Sequence, residues 1–160
     1  MPADLTARYA AGGPLLAESI AGLAPADLTA YPVPGTWSIQ QIVFHLLDSD
    51  LVASQRMKQI IAEENPQLVA WDETAFAQRL SYNDLDPHLA AELFAGNRRL
   101  TAEMLRRQPE SAFARHGTHS VRGRVTLSDQ LELYTNHLHH HLVFVHKKRG
   151  LLGKPIRENK

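Results

Sequence analysis

Histidine is the residue type whose number and spacing first point to chemistry in this sequence. The chain has nine histidines in 160 residues, and five of them lie between His137 and His146. Imidazole is the commonest metal ligand among protein side chains. The histidine-rich segment therefore predicts a metal site, provided that some of these imidazoles share one side of a helix.

His137 and His141 are the pair that meets this condition. At about 100° per residue their directions differ by about 40°, so they lie one turn apart on the same helix face. Two imidazoles placed in this way can hold one metal ion. His139 and His146 point to roughly the opposite face and His140 flanks the pair. We predict surface positions for these three.

His45, in the body of another predicted helix, is the candidate for a third ligand. It lies near the edge of the apolar face of that helix, and Asp48 shares the edge. Three neutral imidazoles would leave coordination positions open for water or substrate. Taken alone, a histidine in the body of a helix, such as His45, is more often a partly buried hydrogen-bonding residue than a ligand, and Asp48 fits an acid on the helix surface or beside a ligand better than a ligand itself. Asp50 falls near the apolar face, where a buried acid needs a partner that the sequence does not identify.

The composition excludes several other kinds of site. With no cysteine, the chain has no disulfide, iron–sulfur cluster, thiolate zinc site or cysteine nucleophile. Seventeen basic residues balance seventeen acidic ones, so we expect no nucleic-acid partner. No apolar run reaches about 18 residues, which predicts no membrane span. The first residues do not read as a secretory signal, so we expect a cytoplasmic protein.

Four helices are predicted to position these residues in one domain covering residues 1–160. The first runs from about Leu5 to Leu23 and is interrupted at Gly12-Gly13-Pro14. The second begins after Ser38, which forms a capping box with Gln41, and reaches about Ala62. Its apolar residues recur at helical spacing along one face.

The third and fourth helices also have recognisable ends. Asp86 is an N-cap residue followed by proline at the first helical position, and this helix reaches about Gln108. The fourth begins at Thr126 or Ser128 and runs through Lys148, ending at Gly150. Four such helices predict an all-α four-helix bundle.

Two connections are long. Residues 63–85 join the second and third helices and contain one short predicted helix, and a connection of this length usually has a function or covers something. Residues 109–124 form the other, in which only the stretch 120–125 has a weak strand pattern.

Three segments in this order and spacing resemble the DinB/YfiT-like superfamily of metal-binding bundles. The first is GTWSIQQIVFHLLDSD, in which Trp37 opens the second helix and His45 follows eight residues later. The second is WDETAFAQRLSY, before the third helix. The third is GRVTLSDQLELYTNHLHHHL, which leads into the histidine pair. The resemblance covers nearly the whole chain and implies an up-down-down-up four-helix bundle, frequently a homodimer.

The resemblance also implies a ligand set. The family's metal ligands fall on His45, His137 and His141, which would bind one divalent ion, either nickel or zinc, with manganese or iron as alternatives. Imidazole accepts all of these ions, so the residue types do not select one. His140 matches a neighbour that family members often carry without using it as a ligand.

The function implied by the resemblance is a metal-dependent transferase acting on a low-molecular-weight thiol such as bacillithiol, mycothiol or glutathione. Because the chain has no cysteine, the sulfur would arrive with this small-molecule substrate. Asp48 would orient a ligand imidazole or accept a proton. The alternatives are a hydrolase in which the metal activates water and a non-catalytic stress-response protein that binds a ligand. Candidates for lining the pocket, from the loop before the fourth helix, are His116, His119 and Arg122.

Overall fold

The computed structural model describes residues 2–156, which form long helices and one small sheet. The helices are α1 (Pro2–Ala11), α2 (Leu15–Ile20), α3 (Pro25–Leu28), α4 (Ile39–Ala62), α5 (Glu73–Arg79), α6 (Pro87–Arg106) and α7 (Leu127–Leu151). The strands are β1 (Gln67–Leu68), β2 (His116–His119) and β3 (Gly123–Thr126). Short 3₁₀ turns cover Tyr82–Asp84 and Glu110–Ala114. The bundle consists of α1 with α2, α4, α6 and α7.

Polar contacts at the two ends of the bundle show that α4 and α6 run in the same direction. At one end, Gln40 near the start of α4 donates hydrogen bonds to the carbonyls of Tyr82 and Leu85, just before α6. At the other end, Arg115, beyond the end of α6, donates to the carbonyl of Ile60 near the end of α4. Parallel neighbours need a connection that returns along the bundle, and this explains the long segment between α4 and α6.

Helices α1 and α7 run in the opposite direction to α4 and α6. Lys148, near the end of α7, donates a hydrogen bond to the Thr36 hydroxyl just before α4 begins. The start of α1, at Pro2, borders the same surface cavity as Leu105 near the end of α6. The order is therefore up-down-down-up, as predicted.

The predicted starts of α4, α6 and α7 are confirmed, whereas α1 begins at Pro2, three residues before the predicted Leu5. The N–H of Gln41 donates to the Ser38 hydroxyl, and the N–H of Ser38 donates to the Gln41 side chain, at 3.1 and 2.9 Å. Asp86 caps α6 through its carboxylate. Of the two candidates for α7, the cap is Thr126, which forms a capping box with Asp129.

Helix α7 runs three residues beyond Lys148, the last residue predicted for it, so the predicted stop at Gly150 is wrong. Helix α7 continues through Gly150 to Leu151, and Gly153 follows the C-cap residue with a φ of 72°. A glycine inside a helix is tolerated, whereas the left-handed conformation that ends it strongly favours glycine. The terminating glycine is the one that adopts this conformation.

The small sheet was not fully predicted. Strand β2 pairs with β3 in antiparallel fashion, with His119 opposite Gly123, and β1 pairs in parallel with β2, with Gln67 opposite Thr118. The weak strand pattern at 120–125 covers the turn and only part of β3. Strands of two and four residues are too short for alternation to reveal them. The sheet fastens the long connection to the hairpin that precedes α7.

Asp50 has the partners that the sequence left open. Its carboxylate accepts hydrogen bonds from the Tyr9 hydroxyl, the Asn97 amide and Arg98 Nε at 3.0, 2.8 and 3.0 Å. Asp50 is 1% exposed and Arg98 is 2% exposed. This buried ion pair ties α1, α4 and α6 together.

No helix within residues 2–156 combines the length and the apolar character needed to cross a membrane.

Candidate metal centre

Three histidines from two helices meet at one point in the bundle. His45 comes from α4, and His137 and His141 come from consecutive turns of α7. Their Nε2 atoms are 3.2 Å apart for His45 and His137, 3.2 Å for His45 and His141, and 3.1 Å for His137 and His141. These are the three residues that the family resemblance implies as ligands.

The electrostatics of the cluster favour neutral imidazoles. Burial, assisted by the charge of His141, lowers the pKa of both His45 and His137 to about 3. Burial and the neighbouring His140 lower the pKa of His141 to about 4. At neutral pH the three rings are uncharged, and a neutral imidazole has a lone pair available for a metal.

The spacing of the nitrogens fits a shared ion. Imidazole nitrogens at about 2.0–2.1 Å from zinc, separated by angles between the octahedral 90° and the tetrahedral 109°, would lie about 2.8–3.4 Å from one another. The three distances in the cluster, 3.1–3.2 Å, fall in this range. The donor set therefore fits one divalent ion.

Glu73 is a residue of the site that the sequence analysis missed. Its Oε2 atom lies 3.7 Å from Nδ1 of His45, and this Nδ1 is buried without a hydrogen-bond partner. When Nε2 binds a metal, Nδ1 holds the proton, and a nearby carboxylate orients the ring. Asp72 caps α5 by accepting from the N–H of Ala75, which places Glu73 in the first turn. That capping pattern was the signal available in the sequence.

Asp48 has a different environment from the one expected of an acid that orients a ligand imidazole. It lies three residues after His45 on α4 and accepts a short hydrogen bond from the Tyr82 hydroxyl. Within residues 2–156, no histidine forms an ion pair or hydrogen bond with Asp48. Burial raises the pKa of Asp48, while the Tyr82 hydrogen bond opposes the shift. Its role in proton transfer stays a prediction.

The remaining histidines of α7 lie outside the cluster. His139, His140 and His146 are exposed, as predicted from their helix faces. The His140 ring contacts the ring of His141 edge-on, with centroids 5.3 Å apart. On the preceding hairpin, His116 is half-buried in β2.

An apolar cavity of about 390 Å³ opens beside His141. Its walls include Trp37, Ile42 and Phe144. Lys148 and Thr36 also line it, and the Lys148 ammonium donates a hydrogen bond to the Thr36 hydroxyl. The Trp37 ring also contacts His45, with centroids 4.8 Å apart. The cavity therefore borders the metal-ligand cluster at His141.

A second cavity, of about 270 Å³, adjoins His137 and is more polar. The hairpin contributes His119 and Arg122 to it, two of the three residues proposed from the sequence as pocket candidates. Arg56 from α4 and Tyr134 from α7 line it as well. No pattern in the sequence pointed to Arg56, because its contribution depends on where α4 passes the hairpin.

The fold and the site together define a four-helix bundle with a partly buried centre of three histidines that can hold a metal. The chain belongs to the DinB superfamily, whose family profile matches residues 9–145. These findings support a metal-binding protein.

Two bacterial relatives illustrate the family. The chain is 30% identical over 120 residues to YfiT of Bacillus subtilis, covering 74% of this chain and 67% of YfiT. It is 29% identical over 111 residues to a protein of Oceanobacillus iheyensis, covering 69% of this chain and 64% of that relative. Both relatives bear the name "putative metal-dependent hydrolase".

The solved structure of YfiT from Bacillus subtilis has the same fold. It superimposes with a TM-score of 0.89 at 24% sequence identity and covers 95% of this chain and 87% of the YfiT chain. That structure is described as having an unusual four-helix bundle topology.

Proposed function

We propose that the protein is a metal-dependent transferase that acts on a low-molecular-weight thiol at the three-histidine cluster. The observation that carries this proposal is the pair of cavities, which differ in character and reach the cluster through different histidines, His141 and His137. A transfer reaction brings two organic substrates to one centre, whereas hydrolysis brings one organic substrate and water. Two separate cavities that each border the histidine cluster favour the transfer reaction.

A divalent ion at the cluster would supply a Lewis acid that favours the ionised form of a bound thiol. Nickel or zinc suits three imidazoles, and manganese or iron are alternatives. The chain has no cysteine to provide sulfur. The nucleophilic sulfur would therefore belong to the substrate.

The protein's own residues would orient the centre and limit water around it. Glu73 would hold the ring of His45 in position through Nδ1. The rings of Trp37 and Trp71 lie on His45, with centroid distances of 4.8 and 6.1 Å, and restrict access of water. Asp48, with its raised pKa, is the candidate acceptor for the thiol proton.

The bond changes are those of a nucleophilic substitution. The thiol S–H bond breaks and its proton passes to Asp48 or to water. The sulfur forms a bond to an electrophilic carbon, and the leaving group departs with the electrons of its bond to that carbon.

Metal content tests the site. We expect tag-free protein to contain about one metal ion per chain by elemental analysis, and His137→Ala to lose most of it because one of three ligands is gone. His139→Ala is the matched control, since this exposed histidine lies two residues away on the same helix. Full metal retention in His137→Ala would contradict the site.

Conjugation of thiols to monochlorobimane tests the activity. We expect one thiol of a panel containing bacillithiol, mycothiol and glutathione to displace chloride from the reagent at a rate that falls on chelation and in His137→Ala. A rate that chelation leaves unchanged would refute the metal-dependent mechanism.

The second candidate is a metal-dependent hydrolase, which the names of the relatives favour. Turnover of activated esters or amides in the absence of any thiol distinguishes it from the transferase. Metal-dependent hydrolysis without conjugation would select the hydrolase.

A further inference from the structure

The polar cavity beside His137 is lined by two cationic side chains that have no role in the proposed reaction. Arg56 comes from α4 and Arg122 from the turn between β2 and β3. The acidic residue in the lining is Glu73, which lies next to His45. The cavity thus has more positive than negative side-chain charge without counting a metal ion.

Arg56 is buried without an acid to balance it. It is 6% exposed, and no acidic residue within positions 2–156 forms an ion pair with it. Its guanidinium donates to the Tyr134 hydroxyl at 3.0 Å and to the Val69 carbonyl at 2.7 Å. A guanidinium has five N–H groups, so three have no acceptor among the described residues. Burial of an uncompensated charge is costly, and a bound anion would offset the cost.

The hairpin adds one further donor, His119, to the same cavity. Nδ1 of His119 accepts hydrogen bonds from the N–H groups of Val121 and Arg122 at 3.1 and 3.3 Å. This arrangement leaves the proton of the neutral ring on Nε2. Burial and the charges of Arg56 and Arg122 lower the pKa of His119, so the ring is a neutral donor.

We propose that this cavity binds an anionic group, a carboxylate or a phosphate, of the small-molecule substrate through Arg56 and Arg122. The planar fork of a guanidinium matches the oxygens of both groups. Tyr134 accepts from Arg56 and its ring lies 5.9 Å from the His137 ring, so the anion would bind one side chain away from the cluster. The substrate is thus an acidic molecule whose reactive atom is close to its charged group.

This inference rests on the proposed function in one respect, because it takes the three-histidine cluster as the reacting centre. Each cavity would then hold one of the two substrates. The acidic substrate would bind beside His137 and the apolar substrate beside His141.

Arg122→Gln is the test variant, because Arg122 is exposed and its loss should not unfold the bundle. Arg124→Gln is the matched control. It removes the same charge from an exposed position on the same hairpin but is not in the cavity lining. The probes are inorganic phosphate and succinate, titrated at constant ionic strength into isotope-labelled protein. The readout is the NMR shift of the Arg56 Nε–H and Trp71 indole N–H signals.

We expect both signals to shift saturably with at least one of the two anions. Arg122→Gln should weaken this binding by about tenfold or more, because a charged hydrogen-bond donor is lost. Arg124→Gln should leave the affinity within about twofold of the wild type. No saturable shift in the wild-type protein would overturn the inference, as would equal effects of the two substitutions. Phosphate and succinate in parallel show which anionic group is preferred.

Elemental analysis of the same samples separates this inference from the proposed function. Arg122→Gln should retain the wild-type metal content while it loses anion affinity. If the wild-type protein binds the anions with the expected Arg122 dependence but takes up no metal, the proposed function fails and the anion site stands. If the wild-type protein takes up metal but binds neither anion, the inferred anion site fails and the proposed function stands.

Discussion

The buried pair of Asp50 and Arg98 provides the sharpest prediction about stability. In Asp50→Ala, Arg98 loses its counter-ion while its guanidinium stays in a site where it is 2% exposed. It keeps two carbonyl acceptors, on Tyr9 and Tyr134, at 3.3 and 2.7 Å. These carbonyls do not neutralise the charge.

The expected loss can be worked out from this arrangement. Removing one partner of a buried ion pair costs about 3–5 kcal/mol. For a chain of this size each kcal/mol lowers the melting temperature by about 2–4 °C, so we expect a decrease of roughly 6–20 °C. Free energies of unfolding of about 5–15 kcal/mol are typical. The variant should therefore remain folded at low temperature if the wild type lies high in this range, and should be close to unfolding if the wild type lies low in it.

Urea denaturation followed by circular dichroism measures the change in the free energy of unfolding. Glu103→Ala is the control, because its ion pair with Arg107 is exposed and should contribute less than about 1 kcal/mol. The double variant Asp50→Ala/Arg98→Met removes both charges and should recover part of the loss. A cost below about 1 kcal/mol for Asp50→Ala, or a double variant that loses the sum of both single effects, would refute this reasoning.

Other substitutions test the centre and the small sheet. Glu73→Gln should weaken zinc binding by about 10–100-fold in a competition with a chelator, because an uncharged amide orients the His45 ring less strongly; unchanged affinity would contradict that role. Gly117→Ala should lower the melting temperature, because its Cβ would lie 2.9 Å from the carbonyl oxygen of Pro66, in the backbone just before the neighbouring strand β1. Gly96→Ala should raise the free energy of unfolding by about 0.5–1 kcal/mol, because this helical glycine has open space around it. A decrease in that energy for Gly96→Ala would contradict the packing of α6.

The local features were predictable because each depends on neighbours within a few residues. Ser38 and Asp86 mark helix starts through caps that their own sequence positions define. His137 and His141 share a face because helix geometry alone places them one turn apart. The burial of Asp50 also followed from its helix face, although its partner did not.

The family resemblance supplied the connection that helix geometry lacks. His45 is separated from His137 by 92 residues, so its proximity depends on how α4 packs against α7. The spacing within α4 left the role of His45 open. The order of the three family motifs along the chain was needed to identify His45 as a ligand.

The sequence by itself determined the helices, their caps and the histidine pair, and it excluded any cysteine side chain from the reaction. These are properties of composition and of contacts within one helix. The tertiary structure alone decided that Glu73 lies beside His45 and that Arg56 shares a cavity with Arg122. These residues come from separate elements, and their positions follow from the return of the long connection and its pairing with the hairpin. Periodicity cannot describe such placements, because they depend on the packing of elements that are distant in the chain.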